Sequence, residues 1–398
     1  MAHPELFLKK NEDKRLRKGH LWVFSNEVDT ERSPLNQFNP GDTVQVVASD
    51  GQIMGSAYIN PGTLVCARLL SRKPAAKLGS KMFTTRIARA LALRERFYSK
   101  PYYRLIFGES DGLPGLVIDR FADVLSVQIT TAGIERQKEP LLDVLVELLK
   151  PSAILLKNDN PQRELEGLST ESICAYGKLP EQLIIEENNA QFKIDILEGQ
   201  KTGWFYDHRS SRAELAKLAK DRTVLDLFSY AGGWGIPAAL NHARQVTCVD
   251  ASASAIALAE QNAHLNQVSD TMQFIQSDVF DYLKQARLDK KRFDIVILDP
   301  PALIKRKKDF KSGYEAYRRL NHLALQVLEK DGILVSASCS YHLSKANLHE
   351  ILRSSSRHID RNLSFVATGG QSPDHPVHPA IPETEYLKTF FCTVSESL

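Results

Sequence analysis

Hydrophobic and polar positions change rhythm twice along the chain, and each rhythm predicts a different layer of structure. Over residues 1–73, short β-type runs at 21–26, 43–49, 53–59 and 64–70 predict the strands of a small β-barrel. Asp50-Gly51, between the second and third runs, signals a hairpin with a two-residue I′ turn. Residues 81–98 carry apolar groups at helical spacing and predict an amphipathic helix leading out of the barrel. Two β-rich runs within 105–130 flank Glu109-Ser110-Asp111-Gly112-Leu113-Pro114-Gly115, a turn dense in Gly, Pro and Asp. A helix at 137–149 and strands at 153–157, 183–187 and 190–195 complete an α+β middle block. After Gly199 the pattern becomes strict alternation, with buried strands at 223–227, 246–250, 272–276, 293–298 and 332–336, each followed by a helical segment. That alternation predicts an α/β doubly wound parallel sheet with helices on both faces. Three domains are expected: 1–73, 74–198 with its linker helix, and 199–398.

Composition narrows the class. The 398 residues are 43% apolar and 25% charged, and no stretch approaches the roughly 20 apolar residues of a membrane span. The polar, basic start has no apolar signal region, and the five cysteines are scattered, so a reducing cytoplasm is expected. A net charge of +3 excludes a uniformly basic nucleic-acid coat but leaves room for local patches. One such patch is the cation-rich segment 9–20, followed directly by Trp22 and Phe24. Cations neutralise phosphates and rings stack on unpaired bases, so Lys18, His20 and Trp22 are candidate RNA contacts. The alternative is a solvated charged segment with both rings in the core.

In an open α/β sheet, ligands bind beyond the carboxyl ends of the strands, so the strand ends after residue 199 carry the chemistry. The first runs from Asp226 through Phe228, Ala231, Gly232 and Gly233 to Gly235, a glycine-rich turn that lets backbone approach a ligand closely. Asp250, ending the second strand, suits the hydroxyls of a ribose, and Asp278, after the third, suits the exocyclic amine of adenine. Each aspartate also reads as the N-cap of the next helix. The fourth strand ends in Asp299-Pro300-Pro301, two prolines that withhold N–H donors and leave carbonyls and a carboxylate facing the pocket. A dinucleotide enzyme has no evident use for this loop. Here the sequence resembles class I methyltransferases that use S-adenosylmethionine (SAM), whose Asp/Asn-Pro-Pro loop holds the base or amine to be methylated.

Ser338-Cys339-Ser340 follows the fifth strand and puts Cys339 at the same rim as Asp299. Carbon 5 of a pyrimidine is a poor nucleophile until a thiolate adds to carbon 6, and Cys339 is the candidate for that thiolate. A free thiol of pKa about 8.5 needs nearby positive charge, which Lys305, Arg306, Lys307 and Lys308 could supply while gripping phosphates. Asp299 could hydrogen-bond the base edge. Cys66, Cys174, Cys248 and Cys392 read as buried structural thiols. Residues 374–378 read as a rigid loop, and no metal is expected.

Taken whole, the chain resembles the bacterial 23S ribosomal RNA cytosine-C5 methyltransferases, with a PUA domain, a small central domain and a Rossmann-like catalytic domain. The resemblance rests on Lys18-Gly19-His20-Leu21-Trp22-Val23-Phe24, on the 108–115 turn and on the run from Gly199 to Arg209. It implies that Lys201 and Asp207 lie against the cofactor, that the Gly232 turn, Asp250 and Asp278 bind SAM, that Cys339 is the nucleophile, and that 23S RNA or an assembling large subunit is the partner. Ala302-Leu303 stand where some members have Lys-Phe, so contacts to the base differ. Methylation at a base nitrogen such as guanine N7, and a non-catalytic assembly factor, are the alternatives; monomer and homodimer are both open.

Overall fold

The computed structural model describes residues 3–197, 199 and 202–396. Two compact units form: residues 1–181, 195–204 and 373–384 in the first, and 182–194, 205–372 and 385–398 in the second.

In the first unit, β1 (Glu5–Phe7), β2 (Trp22–Phe24), β3 (Asp42–Val47), β4 (Ile53–Ile59) and β5 (Val65–Ser71) form a sheet in the order β1-β3-β4-β5-β2. β1, too short to show alternation, has no counterpart among the expected strands. The β3–β4 turn corrects the expected I′ geometry: Gly51 is left-handed at φ 87° but Asp50 is not, and Gly51 N–H bonds Ala48 O. This is a type I turn closed by a left-handed glycine. The apolar alternation fills a core of Leu6, Leu8, Val23, Val44, Val46, Ala57 and Leu69.

A second sheet, β6 (Tyr102–Phe107), β7 (Leu116–Phe121), β8 (Val124–Ile129), β9 (Ala153–Asn158) and β10 (Glu171–Gly177), runs in the order β10-β9-β8-β7-β6. The second apolar run of 105–130 breaks at Ala122, left-handed at φ 57°, into the β7–β8 hairpin. β10 escaped the sequence because its side chains are mostly exposed and carry no alternation. Helices Ser80–Phe97 and Lys138–Leu149 bury Phe83, Ile87, Leu141 and Leu145 with the sheet residues Ile118, Val127 and Ile154. Asp374 and His375, in the rigid-loop segment, are buried in this unit, where the Asp374 carboxylate accepts from His375 Nδ1 at 2.9 Å and Arg104 N–H at 2.9 Å.

In the second unit, β11 (Leu183–Glu187) and β12 (Ala190–Ile194) form a hairpin whose turn residues Asn188 and Asn189 are both left-handed, so the I′ turn occurs here. The main sheet comprises β13 (Thr223–Leu227), β14 (Gln245–Asp250), β15 (Met272–Gln276), β16 (Phe293–Leu298), β17 (Leu328–Ser338), β18 (Arg361–Gly369) and β19 (Lys388–Glu396), in the order β15-β14-β13-β16-β17-β19-β18. Its first five strands are parallel, as expected. Two further strands extend the sheet at one edge, where β19 runs antiparallel to both β17 and β18. Strand order reverses around β13, which opens the ligand crevice beyond the carboxyl ends of β13, β14 and β16. Leu225, Val249, Val296 and Leu298 are buried with Leu320, Leu348 and Ile351 of the covering helices.

Candidate functional site

The turn after β13 is bent by two non-glycine residues in the left-handed region, Phe228 at φ 62° and Tyr230 at φ 46°. Each such residue costs on the order of 1 kcal/mol or more and persists only where the surroundings impose it. Ser229 N–H bonds Val249 O at 3.2 Å, Tyr230 N–H bonds the Asp250 carboxylate at 3.0 Å, and Gly232 N–H bonds Ser229 O at 2.8 Å. Phe205 meets the Tyr230 ring edge-on. A Cβ on Gly233 would lie 3.1 Å from the Arg212 guanidinium, which pairs with Glu187 at 2.8 Å, so a larger residue there would require that guanidinium to shift. Ala231, Gly232 and Gly233 are all buried in this turn.

Asp226 lies beneath it, fully buried, accepting Gly235 N–H at 2.9 Å. Burial, reinforced by the charges of Asp299 and Asp250, pushes its carboxyl up to about 8. The unfolded chain, titrating near 3.9, loses a proton between pH 4 and 8 that the native state keeps. Its stabilising contribution is therefore complete below pH 4 and is lost as pH rises through 8, by up to about 1.4 kcal/mol per pH unit. D226N, which retains an acceptor for Gly235, is expected to flatten that slope. The urea midpoint of wild type should fall relative to the variant between pH 5 and 8, and parallel profiles would show that Asp226 is ionised throughout.

Asp250 ends β14 half-exposed, accepting Tyr230 N–H and, at 2.9 Å, Ser252 N–H; Ser252, not Asp250, caps the next helix. Asp278 is the N-cap of helix Val279–Leu288, with one oxygen accepting from Phe280 and Asp281 N–H. That oxygen serves the helix, and the exposed carboxylate keeps its second oxygen for a ligand. Asp207 is buried, its carboxylate accepting from Tyr386 OH at 2.5 Å and its carbonyl from Ser372 N–H at 2.9 Å. Lys201 lies outside the described residues.

Asp299 follows β16. His208 Nε2 lies 3.1 Å from one of its oxygens and Trp234 Nε1–H donates to the other at 2.9 Å. Burial alone would raise this carboxyl; the charge and hydrogen bond of His208, with the indole bond, hold it below the usual range. Asp226 and Asp299 are thus driven apart, one toward the neutral acid and one toward the anion. Around them, Asp226 Oδ1, Ser229 Oγ and His208 Nδ1 are buried without a hydrogen-bond partner among the described residues. Orphaned polar atoms beneath a strained turn, beside the outward-facing Asp250, fit a polar ligand carrying an amine and ribose hydroxyls.

Cys339 follows β17 directly and is half-exposed, its Sγ 3.9 Å from Pro300 O of the Asp299-Pro300-Pro301 loop. The flanking serines fix this approach. Ser338 Oγ and Ser340 Oγ each lie 2.9 Å from Tyr317 OH, and Ile304 N–H donates to Ser340 Oγ at 3.1 Å. Pro300 is buried and Pro301 exposed, and the anchored Ile304 projects Lys305, Arg306, Lys307 and Lys308 into solvent. Lys388 of β19 donates to Ser340 O at 2.6 Å and Leu343 O at 2.7 Å. Burial pushes the Lys388 ammonium down to about 8, against the opposing pull of Cys339 and Glu385. Of the other thiols, Cys66, Cys248 and Cys392 are buried, burial raising each; Cys174 departs from expectation by being exposed on β10.

The barrel candidates divide. Lys18 is exposed. His20 is buried, its Nδ1 accepting Trp22 N–H at 3.0 Å and its Nε2 lying 3.2 Å from Arg15, and the Trp22 indole donates to Glu109 at 2.8 Å. Sequence reasoning gave no role to His208, Trp234, Tyr317, Tyr386 or Lys388. The first two stand inside quoted motifs; Tyr317 on the helix Phe310–Gln326, Tyr386 just before β19 and Lys388 on it carry no local signal, because they meet their partners only through tertiary packing.

The PUA-like domain family matches residues 6–72, and the S-adenosylmethionine-dependent methyltransferase family matches residues 153–382. Proteins described as ribosomal RNA large subunit methyltransferase I from Cronobacter sakazakii and from Aliivibrio fischeri are each 34% identical over 394 residues, 98% of this chain and 99% of theirs. A protein described as a methyltransferase and solved in complex with SAH is 23% identical with a TM-score of 0.85, and one from Streptococcus mutans described as a SAM-dependent methyltransferase is 22% identical with a TM-score of 0.82. Each covers 98% of this chain and 100% of its own, a likeness of fold.

Proposed function

The chain belongs to the family of the ribosomal RNA large subunit methyltransferases I, SAM-dependent enzymes with an N-terminal PUA-like domain, and on that premise we propose that it methylates carbon 5 of a cytosine in 23S ribosomal RNA. The observation that carries the choice of carbon 5 is the half-exposed Cys339 sulfur, 3.9 Å from Pro300 O at the carboxyl edge of the sheet. A methyltransferase acting on nitrogen has no use for a thiol there.

SAM supplies an electrophilic methyl group. The turn from Phe228 through Ala231, Gly232 and Gly233 would hold its methionine end, Asp250 its ribose and Asp278 its adenine, with Asp207 beside them. The Cys339 thiolate would add to carbon 6 of the cytosine, breaking the carbon 5–carbon 6 double bond and making carbon 5 enamine-like; carbon 5 would take the methyl as the methyl–sulfur bond of the donor breaks and its thioether leaves, then lose its proton to a base, and the thiolate would depart as the double bond returns. Lys388, held by the Ser340 and Leu343 carbonyls, places positive charge near that sulfur, which favours the thiolate. Asp299, kept ionised by His208 and Trp234, retains lone pairs to accept from the cytosine edge. Pro300 and Pro301 stiffen the loop against which the base lies. Lys305, Lys307 and Lys308 meet phosphates around a flipped nucleotide, and Lys18 meets them on the barrel; His20 and Trp22 shape that barrel surface. Incubation with unmodified 23S RNA and methyl-labelled SAM, followed by mass spectrometry of the nucleosides, should yield 5-methylcytidine. Label appearing only on 7-methylguanosine or an N-methylated base would replace this reading.

A further inference from the structure

On the helix Ser80–Phe97, Arg86, Arg89, Leu93 and Arg96 recur at spacings of three and four, which aligns them on one face. With Arg72, Ser110 and the apolar surface of Leu69 and Leu70, that face lines an open cleft of about 710 Å³ within the first unit. The charges in it do not cancel. Its two carboxylates are engaged: Asp111 holds Arg94 through two bonds of 2.6 Å, and Glu109 accepts the Trp22 indole. Among the described residues none of Arg72, Arg86, Arg89 and Arg96 has a carboxylate partner. Arg86 spends its donors on the Gly112 and Leu70 carbonyls, and Arg72 bonds Leu16 O at 2.7 Å. Burial, and then the neighbouring Arg89, push the Arg86 guanidinium down, as expected of like charges facing one another without a counterion. Ser110 Oγ is buried with no hydrogen-bond partner among the described residues. Arg89 and Arg96 are exposed at the rim, and Leu93 is 37% exposed between them.

We infer that this cleft is a second RNA-binding site, which grips the sugar–phosphate backbone of a single-stranded stretch of the substrate away from the methylated base. Uncompensated guanidinium groups call for phosphates, and an apolar floor between them suits an unstacked base. Arg86 to Arg96 spans about 15 Å of helix axis, enough for more than one phosphate. The cleft lies in the size range of small-ligand pockets, so it admits a strand and not a duplex. The inference rests on RNA being the substrate.

The test uses the full chain, a fluorescent single-stranded oligonucleotide of ribosomal sequence, and affinity measured across a salt series. R89A/R96A should weaken binding about tenfold at low salt and reduce the slope of log K against log salt by about 1.4, two phosphates at roughly 0.7 each. R89K/R96K should restore most of the slope, and SAM affinity should be unchanged in both variants. If wild type binds the oligonucleotide and R89A/R96A binds it with the same slope, the cleft is not an RNA site, while the proposed substrate stands. If R89A/R96A loses instead an affinity for poly-glutamate that wild type shows, the cleft serves an acidic protein and the inference is overturned. Failure of wild type to bind any RNA at low salt would remove the substrate reading itself.

Discussion

Cys339→Ala should reduce methyl transfer to RNA by on the order of 10³-fold or more, about 4 kcal/mol of barrier, while SAM affinity stays within a factor of about two. The side chain lies in a half-exposed position next to Pro300, so its loss leaves no large buried cavity, and the unfolding midpoint should barely move. RNA carrying 5-fluorocytosine at the target should become covalently attached to wild type, because fluorine at carbon 5 cannot leave as the proton does and the Cys339–carbon 6 bond persists. C339A should not be trapped. Turnover of C339A within tenfold of wild type would mean that methylation occurs at an atom nucleophilic without a thiol, and nitrogen would become the better assignment.

The second large effect is expected at Asp299. D299A removes the acceptor of two buried donors, Trp234 Nε1–H at 2.9 Å and His208 Nε2 at 3.1 Å. An unsatisfied buried donor costs about 1–3 kcal/mol, so the variant should be measurably less stable to urea and slower by roughly 10²–10³-fold. D299N keeps an oxygen for one donor but loses the charge. It should recover much of the stability and little of the turnover. The comparison separates the two roles: if D299N is as active as wild type, Asp299 is structural, and the ionised carboxylate has no part in the reaction.

The sequence made the catalytic sheet legible because a strand buried on both faces must be apolar throughout and must end where polar chemistry begins. Residues 223–227 and 293–298 coincide with the buried strands β13 and β16, whereas 272–276 coincides with β15, an edge strand whose side chains after Met272 are half-exposed or exposed and not buried as expected. The positions of Asp226, Asp250, Asp278, Asp299 and Cys339 near strand ends followed from the same pattern. The antiparallel pair β18 and β19 was less legible. β18 alternates between intermediate and exposed side chains, so its apolar signal is weak, although it pairs along its length with β19.

Only the tertiary structure decided what each charged group does. Asp226 and Asp299 read alike as aspartates at neighbouring strand ends. Packing buries the first beneath a backbone turn and pushes its carboxyl up, and surrounds the second with an imidazole and an indole that hold it down. Lys388 reaches Ser340 because β17 and β19 pair Ser338 with Lys388 across 49 intervening residues, a register that no local pattern encodes. Trp22, placed by its neighbours among RNA contacts, gives its indole to Glu109. Hydrophobic periodicity is a local property, written residue by residue, so the chain alone determined its elements and their chemical ends. Electrostatics and hydrogen bonding depend on which distant groups share a desolvated space, and that was settled only when the elements packed.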